Sequence, residues 1–165
     1  MSHVHRAAQR DDVEELRRLL DDDPGLLEAE WHLGWRPLRS ASVNGSLEAA
    51  RFLLDRGADI DAASWSQQTA LMGACAYGRV EIVRLLLARG ADPSLRSVGH
   101  KETALLLAAS GTPARYGADY VGVIRLLLKD GRVPVDGCDV GGRTALIAAC
   151  KRGHVDRARV LLLEG

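Results

Sequence analysis

The chain has 165 residues, 47% of them hydrophobic, with 22 basic and 22 acidic side chains and zero formal net charge. That size and apolar content suit one domain with a continuous core, and the charge balance argues against bulk attraction to nucleic acid or anionic lipid. The longest uncharged apolar stretch, around residues 104–109, falls far short of the roughly 20 residues a membrane helix needs. The polar N-terminus has no signal-peptide pattern, so neither a membrane nor a secreted location is expected.

Taken in chain order, the first 30 residues hold nine acidic and four basic side chains. Helices are expected over residues 4–10 and 12–20, with Asp11 and Glu14 spaced as a capping box and Asp12, Glu14 and Glu15 suited to a positive helix end. This acidic pair reads as a solvent-facing cap over residues 1–30. Next, Arg36-Pro37-Leu38 leads to Phe52-Leu53-Leu54 and Gly57-Ala58-Asp59. Pro37 stands at a first helical position, where its missing N–H costs nothing, but Arg36 offers no capping hydroxyl, so this helix should start less firmly.

Thr69-Ala70-Leu71 then recurs as Thr103-Ala104-Leu105 and Thr144-Ala145-Leu146. Each copy is followed by a leucine triplet and a glycine: Leu85-Leu86-Leu87 with Gly90, Leu126-Leu127-Leu128 with Gly131, and Leu161-Leu162-Leu163 with Gly165. In each unit the threonine caps a short helix of small and apolar residues. A glycine such as Gly78 or Gly153 ends that helix, and a more apolar second helix follows. A period of about 33 residues marks a solenoid, whose units are too small to bury their own apolar faces and therefore stack. One unit departs from the rest. From Leu71 to Leu85 is 14 residues, whereas from Leu105 to Leu126 is 21, so about seven extra residues with turn chemistry lie within 110–119.

These units resemble ankyrin repeats, with a glycine-containing finger, a Thr-Pro-Leu-His-like helix start, a Gly-His-like break, a leucine-rich second helix and a Gly-Ala-Asp turn. The resemblance implies an all-α ankyrin-repeat solenoid of stacked antiparallel helix pairs with projecting hairpin or turn fingers. It divides the chain into a cap at 1–30 and repeats at 31–63, 64–96, 97–138 and 139–165. The family's histidine is missing from the starts at Arg36, Thr69, Thr103 and Thr144, so its hydrogen bonds between neighbouring repeats are expected to be absent or replaced.

No catalytic constellation emerges. His3, His5 and His32 lack a fourth ligand and a fixed metal spacing. Cys150 and His154 are separated by the break at Gly153 and read as structural. No phosphate-cradling loop or hydrolase elbow is present. Neither an enzyme activity, a metal nor a cofactor is expected. Cys75, Cys138 and Cys150 fit neither a disulfide framework nor paired zinc ligands, which points to a reducing, cytoplasmic location.

The resemblance also implies a concave surface, made of finger tips and first helices, that binds a protein or peptide. The matching positions include His32, Leu33, Trp35 and Arg39 in the first repeat and Trp65, Gln68 and Tyr77 in the second. His100 matches in the third and Arg143, Lys151 and Arg152 in the fourth. Trp31, Trp35 and Trp65 all fall in the first two fingers. Trp31 is assigned to local packing, while Trp35 and Trp65 stay open between local packing and direct contact; with Tyr77 and Arg39 they form an aromatic and basic patch. The insert, with Arg115, Tyr116 and Tyr120, is a second candidate contact. The apolar last helix is expected to expose hydrophobic area. A longer natural chain, a partner or weak self-association through the C-terminal repeat would cover it. Alternatives to a docking module are a structural assembly element and the targeting domain of a larger enzyme.

Overall fold

The structure, a computed structural model, describes residues 2–112 and 117–165. Five helix pairs follow one another: α1 His3–Gln9 with α2 Val13–Asp22, α3 Pro37–Asn44 with α4 Leu47–Asp55, α5 Ala70–Ala76 with α6 Val80–Ala88, α7 Ala104–Ser110 with α8 Tyr120–Asp130, and α9 Ala145–Lys151 with α10 Val155–Glu164. The first helices stack in one row, α1 on α3, α3 on α5, α5 on α7 and α7 on α9, and the second helices stack beside them in another. This is the all-α solenoid that the sequence period implies.

The short first helices are rich in alanine and other small residues, which lets neighbouring units approach closely. The longer second helices supply leucine and isoleucine. Leu16, Leu53, Leu71, Ile82, Leu86, Leu105, Ile124 and Leu127 are fully buried between the rows, making one continuous core. Truncating any of them to alanine removes about 2–5 kcal/mol.

Three helix starts match the expected chemistry. The hydroxyl oxygens of Thr69, Thr103 and Thr144 accept from the backbone N–H of Met72, Leu106 and Ile147 at 3.3, 3.2 and 3.3 Å. Arg36 gives α3 no side-chain cap, and Pro37 occupies its first turn. The cap of α2 falls one residue later than expected: Asp12, not Asp11, accepts from the Glu15 N–H at 3.0 Å, and the Glu15 carboxylate turns to Arg18 instead of completing a capping box. Asp11 instead adopts a positive φ of 60°, and its carboxylate accepts from the Ala49 N–H in α4 at 2.7 Å. Ser46, which precedes α4, donates back to the Gln9 carbonyl at 3.0 Å. The cap is thus fastened by side chains crossing between units.

A second crossing concerns the expected missing histidine. The cap's own start, Ser2-His3-Val4-His5, places His5 fully buried with Nε2 2.9 Å from the Trp35 carbonyl. A carbonyl only accepts, so Nε2 carries the proton. The inter-repeat bond is therefore present at the first joint, carried by the cap. Burial holds the His5 pKa below its ordinary value, although the carbonyl contact opposes the shift.

The insert-bearing unit is closed differently. Helices α3, α5 and α9 are followed by glycines of positive φ, Gly45 at 81°, Gly78 at 65° and Gly153 at 71°, whereas α7 ends at Gly111 with φ −55°. Arg157 of α10 takes over: its Nη1 donates to the carbonyls of Ala108 (3.1 Å), Ala109 (3.2 Å) and Gly111 (2.5 Å). Its guanidinium lies 3.8 Å above the Tyr120 ring centroid. Tyr120 is itself buried, with its hydroxyl 2.8 Å from the Thr112 carbonyl and 3.3 Å from that of Ala76. The expectation that Tyr120 faces a partner is overturned, because this ring is the floor on which Arg157 stacks. Arg115 and Tyr116 lie outside the described residues.

Candidate docking surface

A backbone bond closes each finger across its turn: Trp31 N–H to Trp35 (2.8 Å, with Trp35 N–H returning to Trp31 at 3.1 Å), Ser64 to Gln68 (3.0 Å), Ser97 to Glu102 (3.0 Å) and Asp139 to Arg143 (3.1 Å). Leu33, Gln67 and Lys101 hold positive φ in these turns at 62°, 56° and 53°, a strained choice for non-glycine residues that tertiary contacts must hold in place. Those contacts run from finger to finger. The N–H of Trp65 donates to the Leu33 carbonyl (3.0 Å), that of Val98 to Ser66 (2.9 Å) and that of Val140 to His100 (3.0 Å).

This ladder brings one apolar side chain per finger to the surface. Leu33, Trp65, Val98 and Val140 keep 47%, 71%, 62% and 61% of their areas exposed. Val98 escaped the sequence reading, although it occupies the same finger position as Trp65 and Val140 and that register was the available signal.

Beneath the first two fingers lies a chain of rings and one cation. Trp31 packs against His5 (centroids 5.8 Å), against His32 (6.0 Å) and edge-on against Trp35 (6.4 Å). The Arg39 guanidinium stacks 4.3 Å from the Trp35 ring centroid, and its Nη2 donates to Gln68 Oε1 at 2.8 Å. Trp65 rests on Gly34, where an added Cβ would come within 2.4 Å of the indole; only glycine leaves room for this contact. His32, Leu33, Trp35, Arg39, Trp65 and Gln68 thus form one connected group.

Arg39 is not on the exposed side of α3, as expected, but only 6% exposed. Val43 is likewise buried. The reason is Gly73 of α5: a Cβ there would lie 2.6 Å from Arg39 Nη1 and 2.9 Å from Val43 Cγ2, so its absence opens a notch that receives both side chains. Burial pulls the Arg39 pKa down to about 10, an effect that Tyr77 partly opposes, and the group stays charged at neutral pH. Among the described residues, its Nε and Nη1 meet no acceptor. An unmet buried donor costs on the order of 1–3 kcal/mol.

The other expected positions are dispersed. His100 is exposed on the third finger. Arg143 is paired with Asp139 at 2.6 Å and so braces its own finger. The buried Asp139 accepts from Arg143 and Gly141, which keeps its carboxyl below the usual range. Lys151 and Arg152 are exposed at the end of α9, two layers beyond α5 in the stack. At the far end Val155, Leu162 and Leu163 are exposed, as the apolar last helix implies. Among the described residues, no cluster of three or more His, Cys, Asp or Glu is placed to hold a metal, and no helix is long and apolar enough to cross a membrane.

A stack of helix pairs bearing a braced row of fingers defines a repeat scaffold. The chain belongs to the ankyrin repeat family: residues 4–97 match ankyrin repeats (3 copies), and residues 114–162 match ankyrin repeats (many copies). Among curated proteins, it is 33% identical over 159 residues to the transient receptor potential cation channel subfamily A member 1 homolog of Caenorhabditis elegans, covering 96% of this chain and 12% of that protein. It is 36% identical over 162 residues to the E3 ubiquitin-protein ligase XBAT33 of Arabidopsis thaliana, covering 96% and 23%. It is also 35% identical over 71 residues to the human NAD-capped RNA hydrolase NUDT12, covering 43% and 15%. The chain therefore spans less than a quarter of each of these relatives. Ankyrin repeats mediate protein–protein interaction and are typically non-catalytic modules.

Proposed function

We propose that the chain is a non-enzymatic docking module that binds a protein or peptide along its finger tips and first-helix face, centred on the first two repeats. The observation that carries this reading is the finger ladder: it holds Trp65 rigid by a backbone bond to Leu33 and by packing on Gly34, yet leaves the indole open to solvent. A pre-ordered aromatic residue loses little entropy on association, which is the usual character of an interface hot spot. Three unbridged cysteines, two of them exposed, suit a reducing compartment such as the cytoplasm.

The test is a selection of displayed peptides against the whole chain. Trp65→Ala is expected to weaken the recovered peptides by tenfold or more without unfolding the protein. Peptides that bind wild type and Trp65→Ala equally would refute docking at this surface. A second reading, association through the last repeat, is favoured by the exposed Val155, Leu162 and Leu163. It requires an apparent mass that rises with concentration and falls back in Leu162→Glu.

A further inference from the structure

Several buried polar atoms lack a partner among the described residues, but Arg39 is the side chain that has two of them. It is a buried cation with one neutral acceptor, the Gln68 amide, and two further donors that meet no acceptor among the described residues. The neighbouring Arg36 differs in charge balance: its Nε makes no aligned hydrogen bond, but it lies 3.1 Å from a Glu28 oxygen and its Nη2 lies 3.3 Å from Glu30. Arg157, equally buried, is satisfied by three carbonyls. A guanidinium is matched best by a carboxylate, which accepts two parallel N–H bonds and neutralises the charge. The surface above Arg39 does not oppose such a ligand. The four finger tips, residues 32–34, 65–67, 98–101 and 140–142, contain no carboxylate and carry His32, His100 and Lys101.

We propose that Arg39 anchors an Asp or Glu side chain of the partner: an acidic peptide segment lies over the first two fingers, and one carboxylate displaces the Gln68 amide from the guanidinium. This rests on the docking reading above and gives its partner a chemistry. One oxygen takes Nη2, and the other meets a donor now without an acceptor. Trp35 holds the plane of the fork from below, and Trp65, one finger on, supplies apolar contact to the flanking residues. A single uncompensated charge fits a carboxylate better than a phosphate dianion, since the adjacent Arg36 is already paired.

The experiment uses displayed 12-residue peptides with no free C-terminus, so that only side-chain carboxylates are sampled. Peptides selected on the wild-type chain are expected to share an Asp or Glu. Exchanging it for Asn or Gln is expected to weaken binding at least tenfold on wild type but less than twofold on Arg39→Met. Gln68→Glu provides an independent arm that leaves Arg39 in place. It sets a carboxylate where the amide oxygen already lies 2.8 Å from Nη2, and it is expected to raise Tm while weakening the same peptides at least tenfold. The proposal is overturned if no acidic peptide is recovered, if the acidic residue matters equally on wild type and Arg39→Met, or if Gln68→Glu leaves affinity unchanged. Peptides lost on Trp65→Ala but sharing no acid would remove the role of Arg39 alone. Peptides indifferent to both Trp65→Ala and Arg39→Met would remove the docking reading as well.

Discussion

Two buried arginines stacked on aromatic rings sit in the second and the last helix pairs, and they differ in what surrounds the rest of the guanidinium. Arg157 over Tyr120 closes the end of α7, where the insert has displaced the usual positive-φ glycine, and three backbone carbonyls accept from it. Arg39 over Trp35 closes nothing. It lies in the notch left by Gly73 with a single amide acceptor. Burial and stacking are common to both, so neither distinguishes a structural cation from a receptive one. The unmet donors do.

Replacing each arginine by methionine breaks this contrast most sharply. Arg157→Met leaves the last carbonyls of α7 buried without a donor and is expected to cost about 2–4 kcal/mol. Arg39→Met removes two unmet donors together with the one bond to Gln68 and keeps an apolar stem in the same notch. Its stability is expected to stay within about 1 kcal/mol of wild type, on the stable side, because exchanging a poorly compensated buried charge for an apolar group is often neutral or favourable. Urea unfolding of the two variants measures both. Equal losses would mean that Arg39 is as structural as Arg157.

The stacked helices were legible because their signals are local. Thr69, Thr103 and Thr144 lie three residues from the N–H groups they cap, and the leucine triplets recur at an almost fixed offset. The surface was legible only in part. Trp65 was found by residue type, but Val98 needed the finger register. Contacts between units leave no local signature: Asp11 reaches Ala49 across 38 residues, and Arg157 reaches Ala108 across 49. Tyr120 was misread for this reason, since a tyrosine beside an insert looks exposed until the arginine that covers it is located. His5 stands in the sequence only as part of a rejected metal set, because the four full repeats lack a histidine at their helix starts while the cap has one.

A smaller effect sharpens the contrast through pH. His5 is buried neutral at the first joint, and its folded pKa lies below the unfolded value because of desolvation. The unfolded chain thus binds a proton that the folded chain resists. Stability is complete above about pH 6.5 and declines as pH falls toward the folded value. His154, half-buried beside Arg157 and Arg152, shifts the same way, but it is more open to water and should contribute less. Measured against the intrinsic exchange rate at each pH, hydrogen-exchange protection on α1 and α3 is expected to fall more between pH 7 and 5 than on α7 and α9, since repeat arrays open locally. His5→Gln, which keeps an N–H for the Trp35 carbonyl without titrating, should flatten most of that change. A slope left intact in His5→Gln would assign the acid sensitivity elsewhere.

The smallest expected stability change belongs to Trp65→Ala, and its smallness separates the two meanings of an exposed tryptophan. If the indole mainly brought adjacent fingers together, removing its contact with Gly34 would loosen the ladder and lower Tm by several degrees. The backbone bond from the Trp65 N–H to Leu33, however, is independent of the side chain and survives the substitution. With most of the ring already in water, the loss is expected to stay below about 0.5 kcal/mol, or roughly 2 °C for a chain of this size. Binding of a selected peptide is expected to weaken by about 2 kcal/mol. Calorimetric melting and titration of the same protein sample measure both quantities. A large fall in Tm with little change in affinity would make Trp65 a brace for the fingers, leaving Leu33, Val98 and Val140 as the apolar row a partner meets.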